Sequence, residues 1–440
     1  MNAQGALPHH TRSFCCECQV LHDADLRADD GAVFFDVHCP SGVRSVRISS
    51  DAATFQAIRA KSALPAPPIP SARDFTWANF IEITKECNCT CAICFSVSSP
   101  GAGGQRTPDD VVALARRLKQ RGVCAVMLSG GEPTLHPNLL EIVSRIRALG
   151  MDVTLASNGL RLGRDEALAR NLRRAGLTHL HLQMDTLRSD VCRTIRGDDF
   201  VAVKQQAIAR VRAAGLRFGF TTTVISNNLD EVGDVLRYAA AQAPHLGVVA
   251  YLSAAPAGRF TLAEDSTVNR EDIIRSLIRS RVVERLDREH FWPFPRFARF
   301  ALDVHPDCAA LLFLAVTPGR LRPLDEFINI GRLYRLMRRA SGRFNRVWGF
   351  LLLSLYLALS IRPSRVFPVL RMLLGMLTKM GRHSMMAVSV EQFLGRVYQD
   401  QERLDRCTTC NVRPDGTRVS TCIFEHPDPR RSPDARSRKE

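Results

Sequence analysis

From residue 76 onward the apolar positions change period in a regular way. Short alternating or continuous apolar runs are followed by stretches with apolar residues at i, i+3 and i+4. The pattern predicts a strand ending at Ile83, a helix over Pro108–Arg121, a strand over Cys124–Leu128 and a helix over Pro137–Leu149. It continues with strands at Met151–Ala156, His179–Met184, Arg217–Ile225 and Val248–Leu252, and helices at Asp165–Ala175, Val201–Ala214 and Leu229–Gln242. Strands alternating with helices at this rhythm give a parallel sheet, because each crossover carries a helix back across one face. Six such units joined by right-handed crossovers predict an α/β domain over 76–258, an open parallel barrel or a doubly wound sheet.

The flanks read differently. Residues 1–13 predict disorder, and 14–60 a small cysteine-bearing module with strands Ala32–Val37 and Val43–Ile48 about the Cys39-Pro40 turn. The stretch Leu64–Pro70, within 61–75, is a stiff proline-rich linker. After 259 the alternation stops, and 259–400 reads as a mainly helical region. There Ile330, Leu333, Tyr334 and Met337 share one helical face, with Arg332, Arg335, Arg338 and Arg339 around it. The neighbouring run Val347–Ile361 is apolar on all sides but shorter than the roughly 18–20 residues of a membrane span. It is expected to be a buried helix or an interfacial segment. Together the two stretches suit docking on an anionic membrane or guiding of an acyl chain, against the plainer reading of an insert packed on the barrel. Residues 401–425 carry a last cysteine group, and 426–440 predict a disordered tail.

Composition changes this picture little. A chain of 440 residues, 45% hydrophobic and 24% charged, is ordinary globular protein and excludes a disordered chain. The formal charge of +16 suits nucleic acid, anionic lipid headgroups or a phosphorylated substrate without choosing among them. Fourteen cysteines matter more, because most fall in short-spaced groups that suit metal ligation better than disulfides. The opening residues lack the apolar core of a signal peptide, so the expected compartment is reducing and cytoplasmic, with a peripheral position at the inner face of the membrane as its variant.

The chemistry concentrates in Cys87-Asn88-Cys89-Thr90-Cys91-Ala92-Ile93-Cys94-Phe95. Cys87, Cys91 and Cys94 form CxxxCxxC at the end of the first strand, where parallel-barrel active sites are built. Three thiolates leave one iron of a cubane cluster open to a further ligand. Cys89 keeps a second reading alive, a closed four-cysteine zinc site. After the second strand comes Ser129-Gly130-Gly131-Glu132-Pro133-Thr134, whose glycines allow close backbone approach and whose Glu132 and carbonyls could hold an ammonium group; a tight strand-to-helix turn is the alternative.

Together these two motifs resemble the radical S-adenosylmethionine (SAM) superfamily. The resemblance implies a partial (βα)6 barrel, a [4Fe–4S] cluster on Cys87, Cys91 and Cys94, and SAM chelating its open iron. It implies reductive cleavage of SAM to a 5′-deoxyadenosyl radical that abstracts hydrogen. It places Phe95 over cluster and adenine, gives Gly130, Gly131 and Glu132 the methionine amino group, and puts Ser157, Asn158 and Asp185 against SAM. An adenine contact would fall near Tyr251–Ala254. Strand-end capping is the other reading of the last three polar residues. No side chain is marked as catalytic acid or base.

Further cysteines narrow the resemblance. Cys15 and Cys18 form CxxC, followed by His38-Cys39-Pro40, half of a rubredoxin or zinc ribbon able to hold one iron or zinc; His38 and Cys16 compete as fourth ligand. Cys308, Cys407, Cys410 and Cys422 are candidates for an auxiliary iron–sulfur cluster, with zinc or structural thiols as the alternative. An amino-terminal CxxC module, a proline-rich bridge, the core, His-Pro-x-Cys and Cys…Asp-Gly…Cys resemble the subfamily of tetraether lipid synthases and 7,8-dihydro-6-hydroxymethylpterin dimethyltransferases. Ile195-Arg196-Gly197 and Ala257-Gly258-Arg259 resemble it too. Cys39-Pro40-Ser41-Gly42 departs from it, lacking the family histidine, as does Ser420-Thr421-Cys422. The expected function is hydrogen abstraction from an unactivated carbon, foremost of a lipid alkyl chain for carbon–carbon coupling. Radical methylation of a pterin-like ring is the alternative, and a basic zinc protein that binds nucleic acid is the reading from another class. The implied partners are a reductant such as ferredoxin or flavodoxin and a lipid or small-molecule substrate, with nucleic acid the least favoured.

Overall fold

The chain enters through a four-stranded antiparallel sheet, β1 (His9–Phe14), β2 (Leu21–Asp29), β3 (Ala32–Cys39) and β4 (Gly42–Ser49), in that spatial order. Leu26, Val33, Phe35 and Val37 alternate towards a buried inner face. The disorder expected over 1–13 therefore ends earlier: His9–Phe14 pairs with Leu21–Leu26, and Phe14 is buried. The computed structural model describes residues 7–15, 17–18, 20–62, 78–294, 304–339, 346–370, 384–395 and 398–424. The proline-rich stretch 64–70, Cys16 and the tail from 425 lie outside them.

Helix α1 (Ala52–Ser62), capped by Asp51 accepting from Thr54 N at 2.9 Å, leads towards the large sheet. Strand β5 (Ala78–Thr84) is followed by the two-residue strand β6 (Ile93–Cys94) and helix α2 (Pro108–Gln120). Thr107 caps α2, with proline in its first turn and Asp109 and Asp110 against the helix dipole. Then come β7 (Ala125–Gly130), α3 (Leu139–Ala148), β8 (Asp152–Ser157), α4 (Leu160–Arg164), α5 (Leu168–Arg174) and β9 (His179–Gln183). The series ends with α6 (Ser189–Arg196), α7 (Val201–Ala213), β10 (Arg217–Val224), α8 (Val232–Ala240) and β11 (Leu246–Ser253).

Strands β5, β7, β8, β9, β10 and β11 lie side by side in sequence order, all parallel. Ile81, Ile83, Val126, Leu128, Val153, Leu155, Leu180 and Leu182 face the helix layer and form the main core with Val111, Leu118, Ile142 and Ile146. By the two-residue period, Glu82, Ser129, Thr154, His181 and Thr221 point to the opposite, inner face. The loops at the carboxyl ends of these strands therefore converge at one rim.

The region 259–400 departs from the helical expectation. After β12 (Arg259–Phe260) and α9 (Arg270–Ser280), the chain forms β13 (Ala309–Thr317) and β14 (Arg320–Pro323), then α10 (Ile330–Arg339) and α11 (Arg346–Ser360), then β15 (Ser384–Gln392). β15 pairs parallel with β11, and β13 pairs antiparallel with β15. At the opposite edge β16 (Thr409–Val412) pairs parallel with β5 and antiparallel with β17 (Arg418–Ser420). The sheet thus has eleven strands, in the order β14-β13-β15-β11-β10-β9-β8-β7-β5-β16-β17. Ala309–Thr317 is buried at seven of its nine positions, and such a run has no period to separate strand from buried helix. The apolar face of α10 is buried: Ile330, Leu333, Tyr334 and Met337 point inward. Of the two expectations for Val347–Ile361, full burial is not met: Leu357 and Ile361 pack on a core cluster, while Leu351, Leu355 and Leu359 of α11 are exposed. No helix among the described residues is long and apolar enough to cross a membrane.

Candidate active site

The CxxxCxxC loop leaves β5 and folds over the rim. Cys87, Cys89 and Cys91 are buried, Cys94 half-buried, and Leu160, Cys192 and Phe200 pack against them. The loop is pinned at several points. Glu86 accepts from Gly101 N at 2.9 Å and Gly103 N at 3.1 Å, and β6 pairs with β12. Arg259 donates to Cys91 O at 2.9 Å and Ser98 O at 2.8 Å. Gly258 lies so close that a Cβ there would stand 2.3 Å from Phe95 O. Phe95 is half-buried, its ring 6.2 Å from that of Phe393.

The thiols differ electrostatically. Cys89 donates to both Cys87 and Cys91, which lowers the pKa of each and raises its own. Cys91 is held down to about 5, by that bond first and then by the charge of Arg196. Arg196 is buried and bidentate to Asp185, at 2.8 and 2.9 Å, and also reaches the Cys91 thiol. Asn158 Nδ2 donates to Asn88 Oδ1 at 2.7 Å and lies 3.5 Å from Cys89 Sγ.

The glycine-rich loop is joined to the cysteine loop by backbone. Gly131 N donates to Thr84 O and Glu132 N to Glu86 O, each at 2.8 Å. A Cβ on Gly130 would stand 2.1 Å from Thr84 O, and one on Gly131 2.2 Å from Glu86 O. Contact between the two loops by itself requires these glycines. Glu132 is held by several donors. It is buried, and Oε1 accepts from Thr134 N at 3.0 Å, Thr134 Oγ1 at 2.6 Å and Ser157 Oγ at 2.8 Å. Its Oε2 accepts from Asn158 N at 2.7 Å. Burial pushes its pKa up. The carboxylate thus ties the second strand's loop to the third's, and both Ser157 and Asn158 are engaged by it. Asp185 is likewise engaged, by Arg196 and by Thr223 N at 2.8 Å. Arg196, Arg259 and Asn88 were not singled out from sequence; only the likeness of Ile195-Arg196-Gly197 and Ala257-Gly258-Arg259 signalled two of them.

Two further cysteine groups are assembled. Cys15, Cys18 and Cys39 have ligand atoms all within 4.8 Å of one another, with Cys18 and Cys39 sulfurs 3.7 Å apart. Tetrahedral zinc or iron thiolates stand about 3.8 Å apart, so one mononuclear ion fits. Ser41 donates to Cys39 at 3.2 Å and holds its thiol down to about 7. The fourth-ligand candidate His38 is turned away, bound to Asp25 Oδ2 at 2.6 Å. His22 Nε2, missed from sequence, lies 3.0 Å from Cys18 Sγ. The other group draws Cys308, Cys407, Cys410 and Cys422 together: Cys407 is held down to about 6, chiefly by Cys410, and the charges of Cys308 and Cys422 interact with it. Among the described residues, neither this group nor Cys87, Cys91 and Cys94 is as tight as the zinc-sized trio.

Parallel strands in sequence order, with a three-thiolate loop on the first and a glycine-rich loop on the second, define a radical SAM enzyme. Residues 81–239 match the Radical SAM superfamily, whose cofactors are a [4Fe–4S] cluster and SAM. Over 400 residues the chain is 24% identical to the 7,8-dihydro-6-hydroxymethylpterin dimethyltransferase of Methanocaldococcus jannaschii, covering 81% of this chain and 78% of that protein. It is 32% identical over 162 residues to a probable GTP 3′,8-cyclase of Pyrococcus abyssi, covering 36% of this chain and 51% of that one. Among solved structures, Streptococcus suis SuiB is similar at a TM-score of 0.41 and 12% identity, over 57% of this chain and 66% of SuiB.

Proposed function

We propose that this radical SAM enzyme abstracts hydrogen from an unactivated carbon of a lipid alkyl chain and so prepares carbon–carbon bond formation. The cluster and SAM, when bound, supply the 5′-deoxyadenosyl radical. The chain's own residues hold and shield that chemistry. Cys87, Cys91 and Cys94 grip three corners and leave the fourth open. Arg259 clamps the loop from behind, and Arg196 sets positive charge beside Cys91. Glu132, Ser157 and Asn158 hold the glycine-rich loop at the distance SAM requires, Asp185 keeps Arg196 in place, and Phe95 walls one side. Cys89 stays outside the coordination set. Cys308, Cys407, Cys410 and Cys422 would hold an auxiliary cluster, which would supply electron transfer from a reductant such as ferredoxin or flavodoxin, and the amino-terminal trio would hold one iron or zinc.

The observation that carries the lipid reading is the stretch 327–390, which contains no Asp or Glu and presents exposed leucines on α11. A second reading, methylation of a pterin-like ring, is favoured by the polar inner face of the barrel and by the name of the relative matched over most of the chain. Anaerobic protein with dithionite and SAM is expected to release 5′-deoxyadenosine. Cys91→Ala is expected to abolish the release and Cys89→Ser to keep it along with the iron content. Loss of core iron in Cys89→Ser would replace the open cluster with a closed four-thiolate site. Product masses with lipid and with pterin substrates separate the two readings.

A further inference from the structure

The segment between β14 and β15 is unlike the rest of the chain. Residues 327–390 hold eleven of the Lys and Arg residues and no Asp or Glu, within a chain whose net charge is +16. Of these, Arg332, Arg335, Arg362 and Arg365 fall among the residues whose burial is described, and the first three are exposed. The structure divides the segment's apolar residues in two. Ile330, Leu333, Tyr334 and Met337 of α10 turn inward, and α10 packs against α11. The face of α11 that points away carries Leu351, Leu355 and Leu359, spaced at i and i+4, with 50%, 52% and 44% of their surface exposed. The helical residues 366–370 follow α11 and expose Phe367, at 84%, and Leu370. Exposed Arg332, Arg335 and Arg362 lie on the same insertion.

We infer that α11 and the helical turn after it form a docking face for an anionic lipid bilayer. Leucine and phenylalanine would enter the headgroup–acyl boundary, and the arginines would rest among lipid phosphates. Neither half of the surface fits the other occupants. A nucleic acid would satisfy the arginines and leave the aliphatic side chains in water. A second copy of this chain, packed face to face, would bring the same arginine-rich surface against itself with no acid in the segment to relieve it. An anionic bilayer satisfies both. The inference deepens the lipid reading and rests on it for its meaning, since the bound protein would meet its substrate where that substrate resides.

The test is flotation of the cluster-loaded full chain with phosphatidylglycerol-containing vesicles and with pure phosphatidylcholine vesicles. The wild type is expected to float with the first and not the second, and to be released by salt. Leu351→Glu/Leu355→Glu/Phe367→Glu is expected to stay at the bottom. Arg332→Gln/Arg335→Gln is expected to partition about tenfold more weakly. All are expected to keep the same iron content and the same 5′-deoxyadenosine yield per cluster in solution, which excludes misfolding as the cause. Equal flotation on both vesicles, flotation of the glutamate variant, or a wild type that never floats would each overturn the inference. A self-associated wild type that the glutamate variant splits into monomers, without vesicle binding, would assign the face to a second copy instead. Flotation is scored without turnover. A protein that floats but modifies a pterin-like ring keeps the docking face and removes the lipid reading, and one that couples alkyl chains in detergent without floating does the reverse.

Discussion

Single residues at this site act mostly on one another. Glu132, Ser157, Asn158 and Asp185 carry the polar groups a cofactor would use, yet their first partners are neighbouring loops. The reason is burial: a carboxylate this deep must be hydrogen-bonded, and the rim supplies its own donors. Gly258 shows the same inward dependence. It has φ +62°, and a Cβ would meet Phe95 O at 2.3 Å and Cys94 O at 2.7 Å. Gly258→Ala is expected to cost about 3 kcal/mol through this overlap and the left-handed backbone. It would also loosen the cysteine loop. A fall in urea midpoint together with lost cluster absorbance checks it; an unchanged midpoint would mean that the loop gives way freely.

At the scale of elements, buried ion pairs join segments far apart in sequence. Arg59 of α1 donates to Asp307 Oδ2 at 2.7 Å, and both side chains are almost fully buried. Burial raises the Asp307 pKa, but the charges of Arg59, then His305, outweigh it and hold the carboxyl below its usual range. A depressed carboxyl contributes its stability fully above the unfolded value near pH 4 and loses it as pH falls through the folded one. Arg59→Met removes one partner and leaves the other charge buried, at a cost of about 3 kcal/mol. Acid unfolding of this variant, followed by circular dichroism, is expected to begin at a higher pH than in the wild type. Coincident curves would show that Arg270 and Arg403 compensate.

Across the whole molecule the amino-terminal sheet and the carboxyl-terminal segment share one core. Phe35 stacks edge-on against Tyr398 at 4.4 Å, and Leu394, Leu404, Val419 and Ile423 pack against Leu26 and Val37. The mononuclear site hangs on the far end of that sheet. Cys15→Ser and Cys18→Ser are expected to lose one tightly bound zinc or iron per chain by mass spectrometry, while His38→Ala keeps it. The yield of 5′-deoxyadenosine is expected to stay unchanged, because the trio belongs to a different core from the cysteine loop. Equal metal loss in His38→Ala would restore it as the fourth ligand.

Local pattern alone was enough for the six parallel strands and for the cysteine and glycine-rich loops at their carboxyl ends, while their order, left open between a barrel and a doubly wound sheet, was settled by the fold. The strands and the loops depend on neighbours in sequence: a period of two or of 3.6, a turn, a short ligand spacing. The same locality explains why Ala309–Thr317 was unreadable as a strand, since its partner β15 lies beyond α10 and α11, and why the approach of His22 to Cys18 went unnoticed. Only the tertiary structure could decide which polar side chains face each other across loops, which three thiols stand at the spacing of one ion, and which leucines stay in water. Those are matters of long-range contact and burial, and they arise only once distant segments have closed around one another.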